Sequence, residues 1–274
     1  MSVGGKLRNG KTADLLSCLQ LERLQTTSAL TVDAKFLDGA AIVQMLNPGT
    51  AKTFQNYADL SFMPYVKSQL QSADTVDIVW DVYIPNSLKG ATRGKRGKGV
   101  RQRVLSTTVI PRDWKGFLCI DENETELFSF LSHEITRQLA TGKVIYTTDE
   151  RDVLSSHAEA DRTNMMPCTH AEADTCLMLH VADAINSGSR KVCVCIVDTH
   201  VIVLASASFE KINPDELLVA FGNGASFKYI PVHQLVNTIQ PQMCSTLPFF
   251  HTLSGAISSR HSVAGVRKPP GTHG

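Results

Sequence analysis

A chain of 274 residues with 43% hydrophobic content can bury a full core, as one large domain or two small ones. Its formal net charge of +1 excludes a uniformly charged binding protein, so any attraction for a polyanion must come from a local patch. No apolar run reaches membrane-spanning length and MSVGGKLRNGKTADLL carries no apolar signal core, so the sequence reads as soluble, intracellular (nuclear or cytoplasmic) and without a membrane partner.

In chain order, residues 1–29 read as an N-terminal extension, 30–265 as a single domain and the Pro/Gly-rich 266–274 as a frayed tail. The first ordered signal is KFLDGAAIVQML, a short apolar stretch that meets Asp38-Gly39 and passes into a helix over 39–46. A helical pattern follows over 50–72, then a strand over 75–85 (TVDIVWDVYIP). Further helices are expected over 124–142, 170–188 and 232–240, and further strands over 142–148, 191–197, 216–222 and 226–232. Residues 151–168 read as a long loop. Strands alternating with helices predict an α/β domain with a central, largely parallel twisted sheet flanked by helices. The run VCVCIV has no polar alternation, as expected of a central strand covered on both faces.

Charge is unevenly spread. KGATRGKRGKGVRQR holds Lys89, Arg93, Lys95, Arg96, Lys98, Arg101 and Arg103 with no acid, whereas DENETE at 121–126 is acidic. A basic run broken by glycines suits phosphate, and hence DNA or RNA, through Lys89, Arg93, Arg96 and Arg101; a solvated loop or localisation signal is the competing reading. The seven cysteines form no CxxC pair, which favours reduced packing thiols. Cys168, His170, Cys193 and Cys195 could be assembled into a zinc site, but their spacing matches no standard module.

SHAEAD at 156–161 and THAEAD at 169–174 are near copies, and only the second continues into a helical pattern. In open α/β sheets ligands gather beyond the carboxyl ends of the strands, where Asp81 and Asp198 stand. Asp38 is placed similarly, with Asp33 as a nearby competitor. Converging carboxylates repel one another unless a hard cation such as magnesium neutralises them. The bland alternatives are structural: Thr169 and Glu172 form a capping box, and Asp198 caps the helix after its strand.

The succession FLDGAA, DIVWDVY with SLKGATRGKRGKG, THAEADTCLMLHVADA, VDTHVIVLA and PFFHTLSGA resembles the flap-endonuclease-like branch of the PIN-like nucleases, above all a group of uncharacterised, often transposon-associated animal proteins. It runs from about Leu30 to Gly265. The resemblance implies a PIN-like fold and an acidic catalytic centre of Asp38, Asp81, Glu172, Asp174 and Asp198. Of these, Asp81, Glu172, Asp174 and Asp198 would bind Mg2+ or Mn2+, and Lys89 and Arg96 would approach the scissile phosphate. Two positions depart from the family. His200 stands where a second acid of an Asp-x-Asp pair is expected, and Ile257 occupies the place of a last Asp. An imidazole suits softer metals than magnesium, and Ile257 cannot ligate at all. The expectation is a nuclease-like domain degenerate in activity that keeps nucleic-acid binding, with a non-catalytic interaction or structural remnant as the alternative.

Overall fold

The computed structural model describes residues 31–83, 99–138, 142–167, 173–196, 200–222, 227–239 and 241–249. The N-terminal extension, the tail, Lys89, Arg93, Arg96, Cys18, Cys168, Thr169, His170, Glu172, Asp198 and Ile257 lie outside them.

Runs of β-branched and apolar residues build the strands β1 (Val32–Asp38), β2 (Ala73–Val79), β3 (Val144–Asp149), β4 (Asp152–Ser155), β5 (Lys191–Ile196), β6 (Glu216–Phe221) and β7 (Lys228–Pro231). The sheet order is β4-β3-β2-β1-β5-β6-β7. β3, β2, β1, β5 and β6 run parallel, and β4 and β7 add antiparallel edges. The fold is therefore α/β around a mixed, mostly parallel sheet. The expected loop over 151–168 contains β4, whose short Val153-Leu154 signal gains strand character only by pairing with β3. The expected strand over 75–85 ends at Val79, and Trp80 to Tyr83 carry no ladder.

The helices are α1 (Gly39–Met45), α2 (Phe54–Tyr57), α3 (Met63–Leu70), α4 (Trp114–Phe117), α5 (Asp121–Gln138), α6 (Ala173–Asn186), α7 (His200–Ile212), α8 (Val232–Ile239) and α9 (Pro241–Cys244). A π-helical turn, Ala58–Phe62, joins α2 to α3, so the single helix expected over 50–72 is locally widened.

Alternate side chains of the parallel strands feed two cores. On one face Leu37, Val76, Ile78 and Cys193 pack with Ile42, Phe54, Phe62, Leu127 and Leu131. On the other, Phe36, Val79, Val194 and Val219 pack with Leu177, Val181, Ile202 and Leu235. Successive strand residues point to opposite faces, so an unbroken apolar strand such as β5 requires this double cover. No described helix is long and apolar enough to cross a membrane. The thiols depart in one respect from the reduced state expected: Cys176 is disulfide-bonded, whereas Cys119, Cys193, Cys195 and Cys244 are free.

Candidate functional site

Chain order along the sheet reverses direction at β1. β2, β3 and β4 are added on one side of it, and β5, β6 and β7 on the other. The helices that follow β1 and β5 pack on opposite faces of the sheet, Ile42 of α1 in one core and Ile202 of α7 in the other, and the edge between them is the usual ligand position in this architecture. Asp38 is the last residue of β1, at this edge. Asp33, its competitor in the sequence, sits near the other end of the strand, where Oδ2 accepts from the backbone N–H groups of Arg190 (2.6 Å) and Lys191 (2.8 Å).

Asp38 is held in place from two directions. Its Oδ1 accepts from Ala41 N–H at 3.0 Å, capping α1. Gly39 follows it because a Cβ there would lie 2.2 Å from Cε3 of Trp80. Trp80 is anchored in turn: its backbone N–H donates to Thr148 Oγ1 and its indole N–H to Thr147 Oγ1, both at 2.9 Å. The indole also stacks on Phe128 at a centroid distance of 4.6 Å. This clamp at the end of β2 fixes the departure of the next residue, Asp81.

Asp81 reaches across to α6. Its Oδ1 accepts from the backbone N–H of Ala173 at 3.0 Å, so an acid from the β2 edge caps a helix 92 residues later in the chain. Asp174 lies in the first turn of that helix. Asp38 feels the other two acids: burial first, then the charges of Asp81 and Asp174, raise its carboxyl to about 6 against the opposing hydrogen bond from Ala41 N–H. The structure thus gathers Asp38, Asp81 and Asp174 at one edge of the sheet. Among the described residues no three His, Cys, Asp or Glu side chains close into a group that could hold a metal ion. The donors are all carboxylate oxygens, which suits a hard cation better than a thiophilic one. Each of Asp38 and Asp81 has one oxygen committed to a backbone N–H.

Two cavities flank this edge. One of about 730 Å³ lies at the switch point and is lined by Leu37, Asp38, Ile42, Tyr65, Cys195 and Phe227 among others. The second, about 190 Å³, is bordered by Asp81, Thr125, Asp149, Glu150 and Arg151.

The basic run is described only at its end, and there it is tied to the acidic run. Arg101 pairs with Glu126, and its guanidinium also donates to Asn123 Oδ1 at 3.1 Å. Arg103 approaches Glu126 at 3.5 Å. Buried Asn123 gathers the strap by donating to Val100 C=O at 3.0 Å and accepting from Gln102 N–H at 2.9 Å. Glu126 is held below the usual carboxylate range by the Val104 N–H and by Arg101 and Arg103, which outweigh its desolvation. A phosphate approaching Arg101 would have to compete with this carboxylate.

His200 opens α7, next to the acidic edge in chain order. His180 is fully buried on α6 and bonded through Nδ1 to Asp77 Oδ2 at 2.8 Å; its Nε2 has no partner among the described residues. Sequence reading missed Asp77, although a carboxylate inside the apolar run of TVDIVW was the available signal. The C-x-C spacing that entered the zinc reading does bring Cys193 and Cys195 together, Sγ to Sγ at 4.0 Å, on one face of β5. No protein-family model, curated protein or solved structure matches this chain.

Proposed function

We propose that the chain is a divergent PIN-like, flap-endonuclease-like domain, ancestrally a metal-dependent structure-specific nuclease, in which nucleic-acid binding outlasts catalysis. The observation that carries this reading is the meeting of Asp38, Asp81 and Asp174 at the carboxyl edge of β1 and β2, against the first turn of α6. A carboxylate whose proton affinity is raised by burial and by two neighbouring acids, as Asp38 is, is poised to accept a cation in place of the proton. Asp81 and Asp174, with Glu172 and Asp198, would hold Mg2+ or Mn2+. Bound there, such an ion would polarise a phosphoryl oxygen and lower the pKa of a water. The protein's own part is to fix Asp38 and Asp81 by backbone N–H groups, so that their outward oxygens keep a constant geometry. His200 and Ile257, in place of two acids of the family pattern, account for weak or absent turnover.

A second reading, a non-catalytic interaction or structural remnant, draws on two specific features. Asp38 and Asp81 already serve as helix caps, and Arg101 is neutralised by Glu126.

Fluorescence anisotropy with labelled single-stranded and flap DNA across a salt series separates the two. Phosphate contacts release counterions, so binding should weaken as salt rises and should show little sequence preference. Lys89→Ala, Arg93→Ala and Arg96→Ala combined should weaken it and flatten the salt dependence, whereas Asp198→Ala should leave it intact. Absence of binding at low salt would leave the remnant reading. Incubation with the same DNA and manganese should give little cleavage, and His200→Asp with Ile257→Asp should raise it. Robust wild-type cleavage that Asp198→Ala abolishes would show an intact catalyst instead.

A further inference from the structure

Side chains two residues apart on a strand share one face. On β5 this brings the Sγ atoms of Cys193 and Cys195 to 4.0 Å. The parallel register sets Lys35 of β1 beside Cys193, and Leu37 beside Cys195. Lys35 is buried, yet its Nζ donates to two neutral groups, Ser72 Oγ at 2.7 Å and Gln69 Oε1 at 3.2 Å. Among the described residues no carboxylate pairs with it. A buried ammonium without a counter-charge is costly, and the charge of Lys35 acts on both Cys193 and Cys195.

The two thiols are unequal. Cys193 is buried, whereas Cys195 is half-buried at the wall of the switch-point cavity. The contact with Cys193 lowers the Cys195 thiol against the opposing effect of burial, the charge of Lys35 adds to the lowering, and the same contact raises Cys193. The cavity, at about 730 Å³, falls within the range of small-molecule pockets, and its other walls include Leu37, Ile42, Met45, Ile196 and Phe227. Tyr65 lines it as well, pushed up to about 12 by burial and by the charge of Cys195, so it stays a neutral hydrogen-bond donor.

We propose that Cys195 is a nucleophilic thiolate in a ligand pocket at the β1/β5 switch point, and that its ligand class is a small apolar molecule bearing an alkene conjugated to a carbonyl. The Cys195 sulfur forms a C–S bond to the β-carbon. The alkene π pair moves to the carbonyl oxygen as an enolate, and solvent then protonates the α-carbon. No leaving group is expelled into an apolar cavity and no redox partner is needed. Tyr65 O–H is available to donate to the developing enolate oxygen. Asp38 of the acidic edge also lines this pocket, but the thiol chemistry is carried by Cys195 and does not rest on the proposed nucleic-acid reading.

The test uses the full chain with N-ethylmaleimide and the larger N-phenylmaleimide at neutral pH, with site-resolved mass spectrometry. Cys119 is the internal control, because it too is a half-buried free thiol. Cys195 should be alkylated about tenfold faster than Cys119, because its thiol is lowered beside Cys193 and Lys35. The preference for N-phenylmaleimide over N-ethylmaleimide should be greater at Cys195 than at Cys119, as an apolar cavity requires. Cys193→Ala should slow Cys195 several-fold, and Tyr65→Phe should slow it without changing the Cys119 rate. Alkylation of Cys195 no faster than Cys119, or a rate indifferent to Cys193→Ala, would overturn the proposal. The comparison of the two maleimides is made on the wild-type chain, so it stands even if a variant misfolds.

Discussion

Replacing Asp38 by Asn removes one charge from the acidic edge while keeping the helix cap, since Asn and Asp cap equally well through a side-chain oxygen. The Asp38 carboxyl is raised from its ordinary 3.8 to about 6, first by burial and then by Asp81 and Asp174. A folded-state value above the unfolded one means that the fold prefers the protonated acid. The associated stability is present below the unfolded value and is lost as pH rises through about 6. At neutral pH the full shift corresponds to about 3 kcal/mol, and screening by solvent at this edge reduces the expectation to about 2 kcal/mol. Urea unfolding of both proteins from pH 3 to 7.5 reads this directly. Asp38→Asn should match the wild type at the acid end, gain steadily through pH 6, and level off about 2 kcal/mol ahead by pH 7.5. A difference that does not change with pH would show that Asp38 is neither desolvated nor repelled, and the electrostatic account of the site would fail with it.

The same edge predicts a response to metal. Millimolar manganese at pH 7.5 should raise the melting temperature of the wild type, gaining about 1.4 kcal/mol at tenfold over Kd, and should raise that of Asp81→Ala less. Within the core, His180→Leu strands the Asp77 carboxyl, which burial already pushes upward against the opposing His180 hydrogen bond. It should cost about 3–5 kcal/mol in urea unfolding, while Asp77→Val with His180→Leu should recover most of that loss; strictly additive costs would refute the pairing. Gly39→Ala should cost about 1–3 kcal/mol, because its Cβ must displace the ring of Trp80, and calorimetry would detect a drop of several degrees.

Several features were legible in the sequence because they depend on local chemistry. The unpolarised VCVCIV announced a strand buried on both faces, and β5 lies inside the sheet with a core on either side. Asp38-Gly39 announced the turn from strand to helix, and the apolar spacing after Thr169 announced α6. What could not be read locally was anything set by approach across the sheet. β4 is too short to declare itself and exists through its pairing with β3. Arg101 reads as a free cation in its own segment, but Glu126 and Asn123 of α5 claim it. Asp81 reads as an acid after a strand, and only the tertiary arrangement delivers its carboxylate to the backbone of Ala173 and brings its charge and that of Asp174 to bear on Asp38. Periodicity reports which face a residue occupies. The distance between two such faces is decided by how the strands are ordered and how the helices pack over them, and it is on that distance that carboxylate repulsion and thiol activation depend.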